Sequence, residues 1–308
     1  MATLTEIRQG ISKRLGSYIA STASAGTGTG ALMDTKYPVY SSSAQDELYQ
    51  DWFLFLPGSA STDKCRRVAT YTPGNGQLTP DSPWGNAPAV GAAYELHAIM
   101  DPLNEIHPAI NESLRRLLVV TETTLTISDS DDNRQSLAAL TWLLNPNYVR
   151  QVGWLDSTED RTETDPYGRV VRGMVQFYDG VPYLEHPSNR FDTTQTLYLK
   201  ILKPAYYHCK ASGGAFGSQT GLSAETDEAP VAADWAISAG LLECLNSYVN
   251  LADQGDNQKV MRMRNEEAAR FNTLTTRYFH KPISTLRPGV SAWGPNASSS
   301  GSGLEVWH

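Results

Sequence analysis

Several groups of residues have the types that chemistry requires, and their spacing decides how far each can be taken. Gly26-Thr27-Gly28-Thr29-Gly30 has the glycine content of a phosphate-cradling loop. Such a loop works when a strand leads in and a helix N-terminus follows with free N–H groups. Here a helical pattern precedes the glycines, and Ala31-Leu32-Met33 follows without a Lys-Ser/Thr pair, so the segment reads as a linker. Asp129, Asp131 and Asn133 stand like the first ligands of a calcium loop, but Arg134 replaces the required glycine and Leu140 the bidentate glutamate. An acidic turn between strands is expected there. His97, Asp101, Glu105 and His107 are close enough in sequence to suggest metal ligands. His97 ends a strand pattern and His107 sits in a helix beside Pro108, so no i, i+4 pair forms, and interface or capping roles are expected.

His208 and Cys209 suggest a base beside a nucleophile. Neighbours in an extended segment point to opposite faces, which denies them the hydrogen bond that thiolate activation needs. No Gly-x-Ser-x-Gly elbow occurs. Asp156, Glu159, Asp160, Glu163 and Asp165 crowd one turn-rich stretch. A glycosidase acid pair needs an apolar pocket to split its two pKa values, so a solvated loop is the expectation and a hydrolase using residues 156–165 an alternative. No catalytic, cofactor-binding or metal-binding residue is assigned, and the chain is expected not to be an enzyme. Basic charge collects in one place, where Lys259, Arg262, Arg264, Arg270, Arg277 and Lys281 face only Asp256, Glu266 and Glu267. That pattern fits a solvated helix face, or a helix docked on an acidic partner or lying near packaged nucleic acid.

Composition bounds the rest. A chain of 308 residues with 40% apolar and 19% charged side chains suggests about two domains at roughly 100–200 residues each. It is too apolar for a disordered chain, and too poor in charge and rich in Gly and Pro for a coiled coil. A net charge of −8 is opposite to that of proteins which grip phosphate backbones. No apolar run approaches the roughly 18 residues of a membrane span, and the N-terminus has no signal-peptide pattern. Cys65, Cys209 and Cys244 are odd in number and widely spaced, which fits a reducing compartment and synthesis in a cytoplasm.

The elements that must position these groups follow from hydrophobic spacing. Thr3 and Glu6 make a capping box before Leu4, Ile7, Ile11, Leu15 and Tyr18, a one-faced helical stripe. Residues 21–30 read as a flexible connector. Strands are predicted at residues 52–56, 67–71, 77–79 and 93–97, with Asn75-Gly76 as a hairpin turn. Asp101-Pro102 opens a helix burying Leu103, Ile106, Ile110, Leu114, Leu117 and Leu118. Apolar or alternating runs at 123–127, 140–144, 149–155, 170–178, 182–184 and 197–202 predict a second β region. Two helices follow, capped by Asp234 and Asp256, the second ending at Pro282. The expected fold is α+β, an antiparallel helical bundle (1–20, 102–120 and 234–280) with inserted antiparallel β subdomains of sandwich or barrel type. The first β subdomain covers 46–100 and the sandwich-like one 121–210, with linkers at 21–45 and 211–233. Residues 284–308 form an extended C-terminal arm, in which Trp293 and Trp307 are candidate anchors.

Residues 66–71 (Arg-Arg-Val-Ala-Thr-Tyr), then Gly76, Leu78, Thr79, Gly91 and Tyr94-Glu95-Leu96-His97, are followed by a helix opening Ile106-His107-Pro108-Ala109-Ile110-Asn111. Together with Leu197-Tyr198-Leu199-Lys200-Ile201-Leu202-Lys203-Pro204 and the Asp234-Trp235 helix pair, this resembles virion structural proteins of tailed bacteriophages, most of all head-to-tail connector (adaptor) proteins. The resemblance implies a homo-oligomeric ring, a dodecamer, between the portal protein and the tail tube or nozzle protein, in the neck or tail region of the virion. DNA would pass through without specific binding, and no membrane or cofactor is implied. Arg262, Arg264, Arg270, Arg277, Trp293 and Trp307 are then the candidate oligomer or partner interface. The alternative is a tail, baseplate or fibre-attachment protein with a β-sandwich binding module for a glycan or a fibre protein. Trp142, Trp154, Tyr167, Phe177, Tyr178 and Tyr183 would be its stacking residues if several share one exposed face.

Overall fold

The computed structural model describes residues 1–16, 18–26, 28–36, 48–58, 64–127, 134–143, 145, 148–168, 174–185, 194–249 and 257–283. The first elements are β1 (Ala2–Thr3), α1 (Leu4–Arg14), β2 (Tyr18–Thr22), β3 (Ala25–Gly26) and β4 (Leu32–Met33). Next come β5 (Phe53–Phe55), β6 (Cys65–Thr72), β7 (Gln77–Pro80), β8 (Ala93–His97) and α2 (His107–Arg116). Then follow β9 (Leu118–Thr126), β10 (Arg134–Ser136), β11 (Val149–Asp156), β12 (Met174–Tyr178), β13 (Val181–Glu185) and β14 (Gln195–Pro204). The last are β15 (Glu228–Ala229), α3 (Ala233–Val249) and α4 (Asn257–Ile283). Two compact units result, one of Met1–Arg116 with His208–Thr276, the other of Leu117–Tyr207 with Arg277–His308. The fold is mixed α+β with antiparallel sheets. Among the described residues no sheet closes into a barrel, which removes the barrel alternative.

In the first unit α1 begins as its sequence dictates. Thr3 Oγ1 accepts from the Glu6 N–H at 3.2 Å while Glu6 Oε2 accepts from the Thr3 N–H at 2.9 Å. Leu4, Ile7 and Ile11 are buried. Tyr18, expected on the same stripe, belongs instead to β2. Two glycines set the approach of α1 to α3. A Cβ on Gly10 would lie 2.3 Å from Ile237 Cδ1, and one on Gly240 would lie 2.8 Å from Ile11 Cδ1. Asp101 caps the next helix, its Oδ1 accepting from Leu103 N–H at 2.8 Å and Asn104 N–H at 3.0 Å. The turn Pro102–Ile106 is a wide π turn that leads into α2 and buries Ile106. The helix ends at Arg116, so Leu118, expected on its buried face, starts β9.

The larger sheet of this unit has seven strands in the order β2-β8-β5-β6-β7-β4-β3, and β1 pairs with β15. The expected connector at residues 21–30 is corrected here, because it holds the last two residues of β2 and all of β3, and a short 3-10 turn, Gly28–Gly30, closes it. Its Ser, Thr, Ala and Gly content hid strands set by their partners: Ser21 opposite the distant Tyr94, and Ala25 opposite the nearby Met33. Register on the hairpin side depends on Gly76 (φ 66°), where a Cβ would sit 2.1 Å from the Asp34 carbonyl oxygen. Leu54, Val68, Leu78, Tyr94 and Leu96 fill the core against this sheet.

The second unit holds two three-stranded sheets, β11-β14-β9 and β10-β13-β12. Val149, Val152, Leu197, Leu199 and Ile201 of the first meet Val175 and Leu184 of the second in one apolar cluster. Each such side chain, once buried, contributes about 1.5–3 kcal/mol. Of the run at 140–144, expected as a strand, residues 140–143 make two tight turns instead, with N–H···O bonds from Leu140 to Leu137 and from Leu143 to Leu140, both at 2.8 Å; residue 144 lies outside the described residues. Trp142 and Leu143 are buried from those turns, which accounts for the run being apolar without being extended. Gly153 is required where β11 meets residues 166–167, since a Cβ would fall 2.2 Å from the Pro166 carbonyl oxygen.

Candidate functional site

Helix α4 carries a concentration of basic charge. Its six basic and two acidic side chains give it +4, so with −8 overall the remainder of the chain carries −12. At 100° per residue, Lys259, Arg262, Glu266, Arg270 and Arg277 fall within about 80° of one another. All five are exposed. The opposite side of the helix is held down. Trp235 Nε1 donates to Thr275 Oγ1 at 3.0 Å, the Trp235 and Phe271 rings lie 5.2 Å apart, and Glu267 accepts from Arg14 at 2.6 Å and from Ser238. Arg264 belongs to that inner side, where its Nε donates to Asn246 Oδ1 at 2.5 Å. Of the four arginines singled out in the sequence, the structure therefore puts Arg262, Arg270 and Arg277 in one row and turns Arg264 away. Trp293 and Trp307 lie outside the described residues.

A second cluster is buried between α1, β8, α2 and the segment before β15. Arg8, with no exposed surface, donates from Nε and Nη2 to the two oxygens of Glu95, each at 2.9 Å, and from Nη1 to Glu225. Its guanidinium lies 4.5 Å from the centre of the Phe55 ring, which also meets the rings of His97 and His107 edge-on. Gln9 adds a bond to Glu95 at 2.8 Å, and Thr5 Oγ1 one to Glu225 at 2.8 Å. Burial alone would raise the Glu95 carboxyl, but bonds from His97 and Arg8 and the Arg8 charge hold it down at about 2. Burial, with Glu95 opposing, lowers His97.

The chain Ser12–His97–Glu95 has the connectivity of an acyl-transfer relay. His97 Nε2 is 3.1 Å from Glu95 Oε2 and Nδ1 is 2.7 Å from Ser12 Oγ. A carboxylate only accepts, so neutral His97 donates through Nε2 and accepts the Ser12 hydroxyl at Nδ1. Ser12 is 2% exposed and lies inside α1, where backbone N–H groups are spent on carbonyls four residues back. No reactant reaches it, and its neighbouring amides are not free to hold an oxyanion. The arrangement is a buried clamp tying the first helix to a sheet strand and to α2.

The sequence treated His97 and His107 as possible ligands or capping groups and passed over Arg8. The signal for Arg8 was its place on the apolar stripe of α1, four residues after Leu4 and beside Ile7 and Ile11, where a cation demands a buried partner. Asp101 is a helix cap, with Glu105 returning to the Asp101 N–H at 2.7 Å. Among the described residues no group of three His, Cys, Asp or Glu side chains converges as metal ligands. Asp129, Asp131 and Asn133 lie outside them. His208 stacks on Phe216 at 5.7 Å, while Cys209 is fully buried and its thiol is pushed up to about 12 by burial and Asp227. Residues 156–165 form a hydrogen-bonded surface turn in which Asp160 Oδ1 accepts from the Thr162 N–H and hydroxyl, both at 2.8 Å. Of the six stacking candidates, Trp142 and Tyr167 are buried and Trp154 packs on the core. Tyr178 and Tyr183 share the outer face of the β12–β13 hairpin, whereas Phe177 alternates to the other face.

No protein-family model, curated protein or solved structure matches this chain. The functional reading therefore rests on its own residues.

Proposed function

We propose that the chain is a structural subunit of the head-to-tail connector (adaptor) of a tailed bacteriophage. It assembles into a dodecameric ring between the portal protein and the tail tube or nozzle protein. In this reading it is made in the host cytoplasm, resides in the neck or tail of the virion and makes or breaks no bonds. DNA slides through the ring without specific binding. The finer architecture proposed with it is a helical bundle as ring body, inserted β-sandwich subdomains, and residues 284–308 as an arm whose Trp293 and Trp307 anchor on neighbours. The observation that carries the reading is the exposed cation row of α4 on a chain otherwise at −12. Such a molecule offers both halves of a charge-complementary contact, and head-to-tail contacts of that kind generate rings. The inward commitment of Arg8, Glu95, His97 and Ser12 to a clamp supports a structural role. Negative-stain imaging of the purified chain, alone and with portal protein, tests it. Closed rings that cap the portal are expected; a chain that stays monomeric and binds no portal sinks the reading.

A second reading is a tail, baseplate or fibre-attachment protein that binds a glycan or fibre protein through its β-sandwich. It is favoured by one feature, the Tyr178 and Tyr183 rings 5.8 Å apart on an outer sheet face, with Arg134 5.0 Å over Tyr178. Glycan-array binding that Tyr178→Ala and Tyr183→Ala abolish, without rings in the images, would favour it.

A further inference from the structure

We propose that the row Lys259, Arg262 and Arg270 docks on the acidic turn at residues 156–165 of a second copy of this chain. The inference rests on the self-assembly proposed above and names the surfaces that meet. Pairing the row with itself would set cations against cations, so the row must meet a different surface of its neighbour; in the ring proposed above, each copy gives its row to one neighbour and its turn to the other. The turn is suited to receive it. Asp160, Glu163 and Asp165 are exposed. The one cation of the turn, Arg161, reaches Glu122 at 3.1 Å, so its charge is answered outside the turn. The backbone is already fixed: Asp156 N–H donates to Glu159 Oε2 at 3.0 Å, Thr164 N–H to the Asp160 carbonyl at 2.9 Å, and Tyr167 N–H to Asp165 Oδ1 at 3.0 Å. Little ordering remains for binding to supply.

Nucleic acid is the poorer occupant. Glu266 stands within the row and takes Arg262 at 2.9 Å, so a phosphate backbone laid along it would meet a carboxylate midway. A protein turn can leave that position to a hydroxyl, and Ser157, Thr158 and Thr162 are exposed on this one.

Charge reversal tests the contact on the full chain, by sizing with light scattering and by circular dichroism to show that each variant folds. The triple variant Lys259→Glu, Arg262→Glu, Arg270→Glu is expected to assemble at least tenfold more weakly than wild type. The double variant Asp160→Lys, Glu163→Lys is expected to do the same. Mixed together, the two have opposite charges at every row–turn contact and are expected to co-assemble in alternation. A folded triple variant that assembles like wild type overturns this contact and leaves self-assembly standing. A wild-type chain that is monomeric at every concentration overturns both. A triple variant that keeps assembly but loses affinity for a duplex oligonucleotide assigns the row to nucleic acid instead.

Discussion

Arg8 Nη1 lies 3.1 Å from His107 Nε2, and the direction of that bond is settled by chemistry. A guanidinium has donors only, so His107 must present a lone pair at Nε2 and carry its proton on Nδ1. Burial, and then the Arg8 charge, lower His107 to about 3. The histidine is thus neutral in the folded chain while Glu95, across the same guanidinium, is ionised.

Both groups make the first unit sensitive to acid, and the signs agree. Unfolded, His107 takes a proton below its ordinary 6.5; folded, it resists until about 3, so stability is lost as pH falls through that interval. Glu95 is held at about 2 against an ordinary 4.5, so its contribution is present above 4.5 and lost between 4.5 and 2. His97, also lowered, acts in the same direction as His107. Against the cost of burial, the bonds and charges of Glu95 and Glu225 raise the Arg8 guanidinium, so Arg8 stays charged throughout and does not reverse the trend. Urea unfolding should show a loss on the order of a few kcal/mol between neutral pH and about pH 4. His107→Gln, which keeps an acceptor without titrating, should flatten the part of the curve above pH 4.5. A parallel curve for that variant would show that His107 is not the group responsible.

Removing Arg8 should cost more than removing any neighbour. Arg8→Met leaves Glu95 and Glu225 without their shared cation, and stranding buried charge typically costs about 3–5 kcal/mol. Arg8→Lys should rescue little, because an ammonium cannot bridge both Glu95 oxygens in parallel. Urea midpoints of the three proteins decide this. A Lys variant as stable as wild type would mean that charge, not the fork, matters.

Local signals carried much of the fold and none of this clamp. The Thr3–Glu6 box, the Asp101 cap and the Asn75-Gly76 turn are each complete within a few residues, so their geometry could be read directly. Arg8 finds Glu95 and Glu225 across 87 and 217 residues, a distance over which no spacing rule reaches. Strands β2 and β3 escaped because Tyr18 continues the helical spacing of α1 and the small residues after Ile19 have no alternation, so that only their partners make them strands. The α4 row was visible as composition. Its division, with Arg262 outside and Arg264 inside, follows from which side meets Trp235 and Ser238.

Gly76→Ala tests the hairpin. The residue sits at positive φ and a Cβ would strike the Asp34 carbonyl oxygen, a backbone atom that cannot rotate away. Asp34 N–H also donates to the Gly76 carbonyl at 3.0 Å, while its carboxylate accepts from Tyr94 at 2.8 Å, so displacement would reach the sheet core. A loss of at least about 1–3 kcal/mol is expected. Gly91→Ala also places a side chain at positive φ but in open space, and should cost less. Equal melting temperatures for the two variants would remove close approach as the cause.

Removing residues 284–308 should separate folding from assembly. Among the described residues, the apolar cluster of the second unit runs from Ile127 to Ile201 and that of the seven-stranded sheet from Ala23 to Leu96. Thermal melting of the shortened chain should therefore match the full one, while ring formation falls off. Rings of wild-type yield from the shortened chain would rule out an anchoring arm and with it the roles given to Trp293 and Trp307.

The three thiols provide a probe of whether the buried regions open. Burial, with Glu105 and Glu243 adding repulsion, pushes Cys244 up to about 12, and burial with Asp227 does the same to Cys209. Burial and the adjacent Asp101 carboxylate also raise Cys65, which alone of the three is partly exposed. The thiolate is the nucleophile, so a colorimetric disulfide reagent at neutral pH should react slowly with the native chain. Cys65 should lead, and all three should react at once in urea. Prompt reaction of Cys244 without denaturant would mean that the packing of α3 against α2 opens readily.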